Sequence, residues 1–146
     1  MKTRKGITLI ELLVVIAVMA VILSIAAFSG RRTLLSQEQA AFLRSLQGLF
    51  WQGATEAASR GETLVLSRQG NRLEIRRGSQ VVRTVDIPQG VGLSLGDGDV
   101  VRFTPPGKVE SPSGGILSAP LTFTVSVGPR TYTYTVSLIG EVKVSP

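Results

Sequence analysis

Glu11 is a carboxylate inside an otherwise apolar stretch, which makes it the first candidate for chemistry in this chain. Residues 12–28 carry no charge, and an acidic side chain at mid-membrane costs roughly 2.5–3.5 kcal/mol on insertion scales. A buried charge is tolerated when it meets a partner of opposite sign. We therefore interpret Glu11 as an ion-pairing residue rather than as part of a simple anchor.

A second candidate group consists of arginines between residues 68 and 83. Arg72, Glu74 and Arg76 alternate along a predicted strand and should share one face. Because a guanidinium binds phosphate through a bidentate fork, these side chains suggest a contact with DNA. The favoured alternative is a solvated strand face that discourages edge-to-edge aggregation. If three predicted strands pair, the group comprises Arg68, Arg72, Arg76, Arg77 and Arg83.

Other kinds of chemistry find little support in the composition. The chain has no cysteine and no histidine, which removes thiolate nucleophiles, the usual general base and the commonest metal ligand. Asp97-Gly98-Asp99 offers two carboxylates, whereas calcium takes six to eight oxygens. Gly90 to Gly96 is glycine-rich but lacks the basic residue of a phosphate-binding loop. We expect no enzyme activity, no cofactor and no bound metal.

The element that carries Glu11 is a long apolar segment behind a short basic leader. Lys2, Arg4 and Lys5 precede Gly6, and an apolar run with few interruptions extends from Ile7 to Phe28. About 20 apolar residues span a bilayer core as a helix. The basic residues ahead of the run favour a cytoplasmic N-terminus, with the rest of the chain outside the cytoplasm.

The residues around this junction form a recognisable motif. Lys5-Gly6-Ile7-Thr8-Leu9-Ile10-Glu11-Leu12-Leu13 resembles the processing motif of type IV prepilins and type II secretion pseudopilins. The resemblance implies that a membrane-bound prepilin peptidase cuts between Gly6 and Ile7 and methylates the new amine of Ile7. It also implies that Glu11 is the acidic assembly position, and that the chain moves from the bacterial inner membrane into a periplasmic pseudopilus or a surface pilus.

An ordinary secretory signal peptide is the alternative for this segment. Ser24-Ile25-Ala26 supplies the small residues that signal peptidase prefers. On that interpretation the mature protein begins near Ala27 and is soluble. Glu11 argues against it, because a signal sequence gains nothing from a carboxylate in its apolar region.

A helical pattern continues beyond the apolar run. An apolar stripe recurs at helical spacing and should pack on a sheet, while Phe50 and Trp51 lie at its margins and are also predicted to pack in the core. Gly61 is a plausible end of the helix. The stripe consists of Leu35, Phe42, Leu46, Leu49, Gly53 and Ala57.

From Glu62 onward the pattern has the period of two that is typical of strands. Strands are predicted at 62–68, 71–77, 80–87, 91–95 and 100–104, followed by a proline- and glycine-rich loop at 105–120. Alternation on both sides of Gly128-Pro129-Arg130 predicts a hairpin of 121–127 with 131–138, and Val142 and Val144 suggest a last short strand.

These elements predict an α+β fold in which a long N-terminal helix packs on an antiparallel β-rich head. The predicted organisation is a leader at 1–6, a transmembrane and assembly helix at 7–30, an amphipathic helix at 31–60 and a β head at 61–146.

Two further stretches resemble the minor subunits that include the H-type pseudopilin and the FimT-type minor pilin. They are Val101-Arg102-Phe103-Thr104-Pro105-Pro106-Gly107 and Ser137-Leu138-Ile139-Gly140-Glu141-Val142. The resemblance implies a structural subunit whose partners are other pilin or pseudopilin subunits. A DNA-binding minor pilin for natural transformation is the alternative function.

Overall fold

The computed structural model describes residues 8–146, which form one helix and nine strands. The chain divides into two compact units, Met1–Gln37 and Glu38–Pro146. Helix α1 extends over Leu9–Arg60. The strands are β1 Leu64–Gln69, β2 Arg72–Arg77, β3 Gln80–Asp86, β4 Val91–Leu93, β5 Gly98–Thr104, β6 Lys108–Glu110, β7 Leu121–Val127, β8 Arg130–Val136 and β9 Val142–Ser145.

The described part of the first unit is helical, and its side chains are exposed. Every residue from Leu9 to Gln37 lies on the surface, although most residues up to Phe28 are large and apolar. Within residues 8–146, α1 is the one helix long and apolar enough to cross a membrane. Such a surface is stable only when lipid or other apolar helices cover it.

The second unit contains two antiparallel sheets. The five-stranded sheet has the order β3-β2-β1-β5-β6, and the four-stranded sheet has the order β4-β7-β8-β9. The predicted hairpin is confirmed as β7 and β8, with Phe123 opposite Tyr134. The α+β prediction is confirmed, since α1 packs its last turns on antiparallel sheets.

Two details of the strand prediction are wrong. The predicted loop at 105–120 contains β6, which pairs with β5 across the turn at 105–107. The predicted strand 131–138 ends at Val136, because Ser137–Gly140 forms a turn in which Gly140 N donates to Ser137 O. Proline, glycine and serine are frequent in residues 105–120, and this composition does not reveal a strand of three residues.

The apolar stripe of α1 packs in the core from Phe42 onward. Two members of the predicted core lie outside it. Leu35 is 38% exposed and belongs to the first unit, and Trp51 is 58% exposed. Phe50 is fully buried, and the next residue lies about 100° further round the helix, which turns Trp51 away from the sheets. The buried helix residues are Phe42, Leu46, Leu49, Phe50, Gly53, Ala54 and Ala57.

An aromatic cluster joins α1 to both sheets. Phe50 lies 6.4 Å from Phe103 of the five-stranded sheet and 5.7 Å from Phe123 of the four-stranded sheet, measured between ring centroids. Phe123 stacks on Tyr134 at 5.3 Å. Gly53 allows α1 to pack directly against Phe103, because a Cβ atom at this position would lie 2.5 Å from the Phe103 ring. The core of the second unit is therefore continuous from the helix through both sheets.

Candidate functional site

Glu11 lies in the first turn of α1 and forms a capping box with Thr8. The backbone N–H of Thr8 donates to Glu11 Oε2 at 3.3 Å, and the backbone N–H of Glu11 donates to Thr8 Oγ1 at 3.3 Å. These reciprocal bonds satisfy donors that a helix otherwise leaves unpaired at its start. The box defines the beginning of the helix and fixes the Glu11 carboxylate beside it.

The capping box leaves the carboxylate available for a further partner. Glu11 and Thr8 are both exposed, and a carboxylate offers about four acceptor sites, of which the cap uses few. A negative charge in the first helical turn is also favoured by the helix dipole. This geometry suits a carboxylate that accepts a cation from another chain while its own helix stays capped.

The residues predicted for processing, Gly6 and Ile7, lie outside the described residues. Cleavage between them and methylation of Ile7 therefore remain predictions from the motif. The structure adds that the helix begins at Leu9, close to the predicted cleavage point.

The predicted arginine group is divided between the two faces of the five-stranded sheet. Arg68 pairs with Leu73 and Arg83 pairs with Ile75, so both lie on the core-facing side. Arg72 and Arg76 alternate with those apolar residues and lie on the outer face. The three strands do pair, but their register separates Arg68 and Arg83 from the other two. The expectation that they approach Arg72 and Arg76 is therefore wrong.

Four of the five arginines have acceptors within the chain. Arg72 Nε donates to Asp86 Oδ1 at 2.9 Å, and this hydrogen bond and the carboxylate charge raise the pKa of Arg72. Arg77 Nη1 donates to Glu62 Oε2 at 3.0 Å, and Arg83 Nη1 donates to Gln52 Oε1. These contacts occupy donors that a DNA phosphate would need.

Arg68 has a structural function that the sequence did not indicate. Its Nε donates to the carbonyl of Gly70 at 3.0 Å, and its Nη1 donates to the carbonyls of Leu93, at 3.0 Å, and Leu95. Asp97 accepts from the backbone N–H of Gly70 at 3.0 Å and lies 3.7 Å from Arg68 Nε. Arg68 thus fastens the β4 region to the five-stranded sheet, and Asp97 supports this contact.

Two residues of interest were missed at the level of sequence. The capping partner Thr8 was detectable, because Thr8-Leu9-Ile10-Glu11 has the spacing of a capping box. Arg102 lies on the outer face of β5 and shares it with Arg76. No sequence signal reveals that proximity, because it depends on β1 lying between β2 and β5.

The comparisons with known proteins address both units. The family model described as the prokaryotic N-terminal methylation motif matches residues 1–27. A search of curated protein sequences finds no match.

Two crystal forms of the type IV minor pilin FimU from Pseudomonas aeruginosa strain PAO1 are similar to the chain in structure. The first has a TM-score of 0.57 at 16% identity and covers 76% of this chain and 90% of the FimU chain. The second has a TM-score of 0.54 at 16% identity and covers 73% and 92%. At this identity the likeness shows the fold.

The methylation motif and the fold support the same conclusion from separate parts of the molecule. The motif covers the apolar N-terminal segment, and the structural likeness covers most of the chain. Membrane anchoring and assembly with other subunits are what this combination implies. The chain carries the prokaryotic N-terminal methylation motif at residues 1–27 and has a fold similar to that of the type IV minor pilin FimU.

Proposed function

We propose that this protein is a minor pilin or pseudopilin, a structural subunit that joins a type IV pilus or a type II secretion pseudopilus through its N-terminal helix. The observation that carries the proposal is the exposed apolar surface of Leu9 to Phe28, which holds a single carboxylate, Glu11, at its capped start. A helix of this kind is covered by lipid before assembly and by neighbouring helices after it.

The proposal includes processing at the N-terminus. A prepilin peptidase removes residues 1–6 by cutting after Gly6 and methylates the amine of Ile7. Before cleavage the chain spans the inner membrane once, at residues 7–30, with its N-terminus in the cytoplasm. Residues 31–60 and the β head at 61–146 lie outside the cytoplasm. The basic residues Lys2, Arg4 and Lys5 support this orientation.

Glu11 has a specific function in this scheme. Cleavage creates a positive charge at Ile7, and inside a bundle of apolar helices that charge needs a partner. Glu11 of one subunit pairs with the amine of its neighbour, while its own helix remains capped by Thr8. A subunit in the wrong axial register leaves both charges unpaired, so the pair sets the register of the filament.

Mass spectrometry of the mature N-terminus tests the processing step. The full chain is co-expressed with a prepilin peptidase and recovered from the membrane fraction. The expected product begins with N-methylated Ile7. A product that begins at Ala27 overturns the proposal in favour of signal peptidase cleavage and a soluble protein.

Substitutions at Glu11 test the assembly step, because the charge and the cap can be separated. Glu11→Gln keeps an acceptor for the capping box but removes the charge, and Glu11→Ala removes both. Both variants should be inserted and cleaved, yet incorporation into filaments should fall about tenfold or more. The matched control is Glu38→Ala, an exposed carboxylate on the same helix outside the apolar run. Wild-type incorporation of Glu11→Gln would rule out the ion pair.

A further inference from the structure

The two edges of the five-stranded sheet differ in how they are covered. At the β6 edge, the backbone N–H of Val109 donates to the carbonyl of Leu138 at 2.8 Å, and Glu110 forms a bridge with Ile116. Within residues 8–146, the β3 edge has no such cover, because the backbone of Gln80–Asp86 bonds to β2 alone. An open edge of this kind is a template for a further strand.

The strand register shows which backbone groups of β3 point away from the sheet. The N–H of Ile87 donates to the carbonyl of Asn71 at 2.8 Å, and this pair continues the register of β2 with β3. Bonded and non-bonded pairs alternate along an antiparallel ladder. Asp86 and Thr84 therefore occupy non-bonded positions, and their N–H and C=O groups face the open edge.

A groove lies between this edge strand and α1, within the second unit. Its volume is about 380 Å³, and side chains of both elements line it. The floor is apolar, because it includes the buried Leu49 and the half-buried Val85. We call this space the β3 groove; its lining includes Arg44, Gly48, Leu49 and Gln52 of α1 and Arg83 and Val85 of β3.

The β3 groove carries two positive charges that no carboxylate neutralises. Within the part of the chain that the structure describes, Arg44 and Arg83 have no acidic oxygen at 4.0 Å or less. Arg83 Nη1 donates to Gln52 Oε1, and this neutral partner uses one of the five guanidinium donors. Asp86, on the same strand, is already paired with Arg72 at 2.9 Å.

Gly48 leaves one wall of the groove without a side chain. A Cβ atom there would meet Gln52 Nε2 alone, at the ordinary distance of 3.6 Å, so packing among residues 8–146 does not require glycine. In a helix interior glycine costs about 1 kcal/mol relative to alanine. What glycine provides at this position is room beside the open strand.

We propose that an extended acidic segment of another protein binds in the β3 groove and adds to the five-stranded sheet beside β3. Its backbone bonds to the outward groups of Thr84 and Asp86, which supplies affinity. Alternate side chains of the added strand enter the groove, where a carboxylate pairs with Arg44 or Arg83 and an apolar group covers Val85. The interaction uses the second unit alone and does not depend on assembly through α1.

Charge and hydrogen bonding favour this occupant over two others. The chain has a formal charge of +6, so a second copy is repelled where an acidic partner is attracted. The DNA backbone supplies acceptors for arginines, but it has no donors for the outward carbonyls of Thr84 and Asp86. An added peptide strand supplies both donors and acceptors at the spacing of the edge.

Titration of the full chain in detergent micelles with a blocked heptapeptide tests the proposal. Threonine alternates in this peptide with glutamate, valine and glutamate, so that the acidic and apolar side chains share one face. The backbone amide resonances of Thr84 and Asp86 should shift and saturate. That of Val144, on the β9 edge of the other sheet, should stay in place. Shifts that rise linearly without saturation would overturn the proposal.

Variants of the edge separate its backbone from its side chains. Thr84→Pro removes an outward N–H that β2 does not use, and an edge strand tolerates proline at such a position. It should weaken peptide binding about tenfold or more, whereas the matched control Thr84→Ala should leave binding within about twofold. Unchanged binding by Thr84→Pro, confirmed as folded by its thermal transition, contradicts strand addition.

Variants of the groove test its charge and its space without altering the edge. The double variant Arg44→Gln/Arg83→Gln should weaken peptide binding about tenfold or more, while Arg130→Gln, in the β7–β8 hairpin, should not. Gly48→Leu fills the groove and should weaken binding while the head stays folded. Unchanged binding by the double variant and by Gly48→Leu would contradict the groove as the binding site.

Two competitors test the identity of the occupant. A peptide with lysine in place of both glutamates should bind about tenfold or more weakly, because it meets Arg44 and Arg83 with like charge. Equal binding of the two peptides would contradict an acidic partner. Duplex DNA should not displace the acidic peptide, and displacement from Thr84 and Asp86 by DNA would overturn the assignment in favour of nucleic acid.

Discussion

Residues 9–37 and 42–57 belong to one continuous helix, yet the first stretch exposes its apolar side chains and the second buries most of them. The first stretch buries none of them, and the second buries seven residues against two sheets. All of the buried core lies between Phe42 and Val136. The buried core of the head therefore contains no residue of the apolar N-terminal surface.

Removal of a core aromatic residue is the strongest way to test this separation. Phe50→Ala should lower the free energy of unfolding of the head by about 3–5 kcal/mol, because the ring is fully buried against Phe103 and Phe123. Near-ultraviolet circular dichroism of the full chain in micelles, followed during chemical denaturation, measures the change.

Trp51→Ala is the matched control for that substitution. It removes a larger aromatic side chain at the next position, but one that is exposed, so the change should stay within about 0.5 kcal/mol. Equal losses of unfolding free energy for Phe50→Ala and Trp51→Ala would show that burial does not determine how much each side chain stabilises the head.

Gly53 and Gly48 offer a second comparison within the same helix. A Cβ at Gly53 would lie 2.5 Å from the Phe103 ring, so Gly53→Ala should destabilise the head by about 1–3 kcal/mol. At Gly48 the nearest atom, Gln52 Nε2, would lie at 3.6 Å, an ordinary contact. Gly48→Ala should therefore stabilise the head by up to about 1 kcal/mol through helix propensity. Shifts of the denaturation midpoint in opposite directions for the two substitutions would confirm that Gly53, and not Gly48, is in tight contact with the core. Stabilisation by both substitutions would contradict it.

Tyr134 makes the stability of the head depend on pH at the alkaline end. Burial raises the pKa of Tyr134 above its usual 10.0, so the unfolded chain loses its proton first as the pH rises. The contribution of the neutral phenol is complete below about pH 10 and is lost as the pH climbs from there through the folded pKa. Thermal unfolding of Tyr134→Phe should show a shallower decline above about pH 10. Parallel declines for wild type and variant would contradict this cause.

The smallest expected effect lies in the first part of α1. Val15→Ala removes apolar surface that is exposed within the chain, so the stability of the head should change by less than about 0.5 kcal/mol. The same denaturation assay measures it. A loss comparable to that of Phe50→Ala would show that the N-terminal surface contributes to the core and would break the separation.

The elements with a regular period could be predicted from sequence, and the arrangements that depend on strand order could not. The hairpin of β7 and β8 shows clean alternation over both strands, and the helix ends at Arg60 before Gly61, as its turn signal indicates. The prediction that Trp51 packs in the core was wrong, because two adjacent positions on a helix can face the core and the solvent respectively. The proximity of Arg76 and Arg102 could not be predicted from the sequence. Their strands, β2 and β5, both pair with β1, which precedes them in the chain, and not with each other.

The position of Tyr134 and Val136 in the core has a consequence for the order of events during synthesis. The apolar segment leaves the ribosome first, while Phe50 still lacks Phe123 and Tyr134, which follow more than 70 residues later. The head completes its core only when β8 has been made. In the topology proposed above the head lies outside the cytoplasm, and on that proposal the late arrival of these strands leaves the head unfolded, and able to cross the membrane, until translation is nearly over.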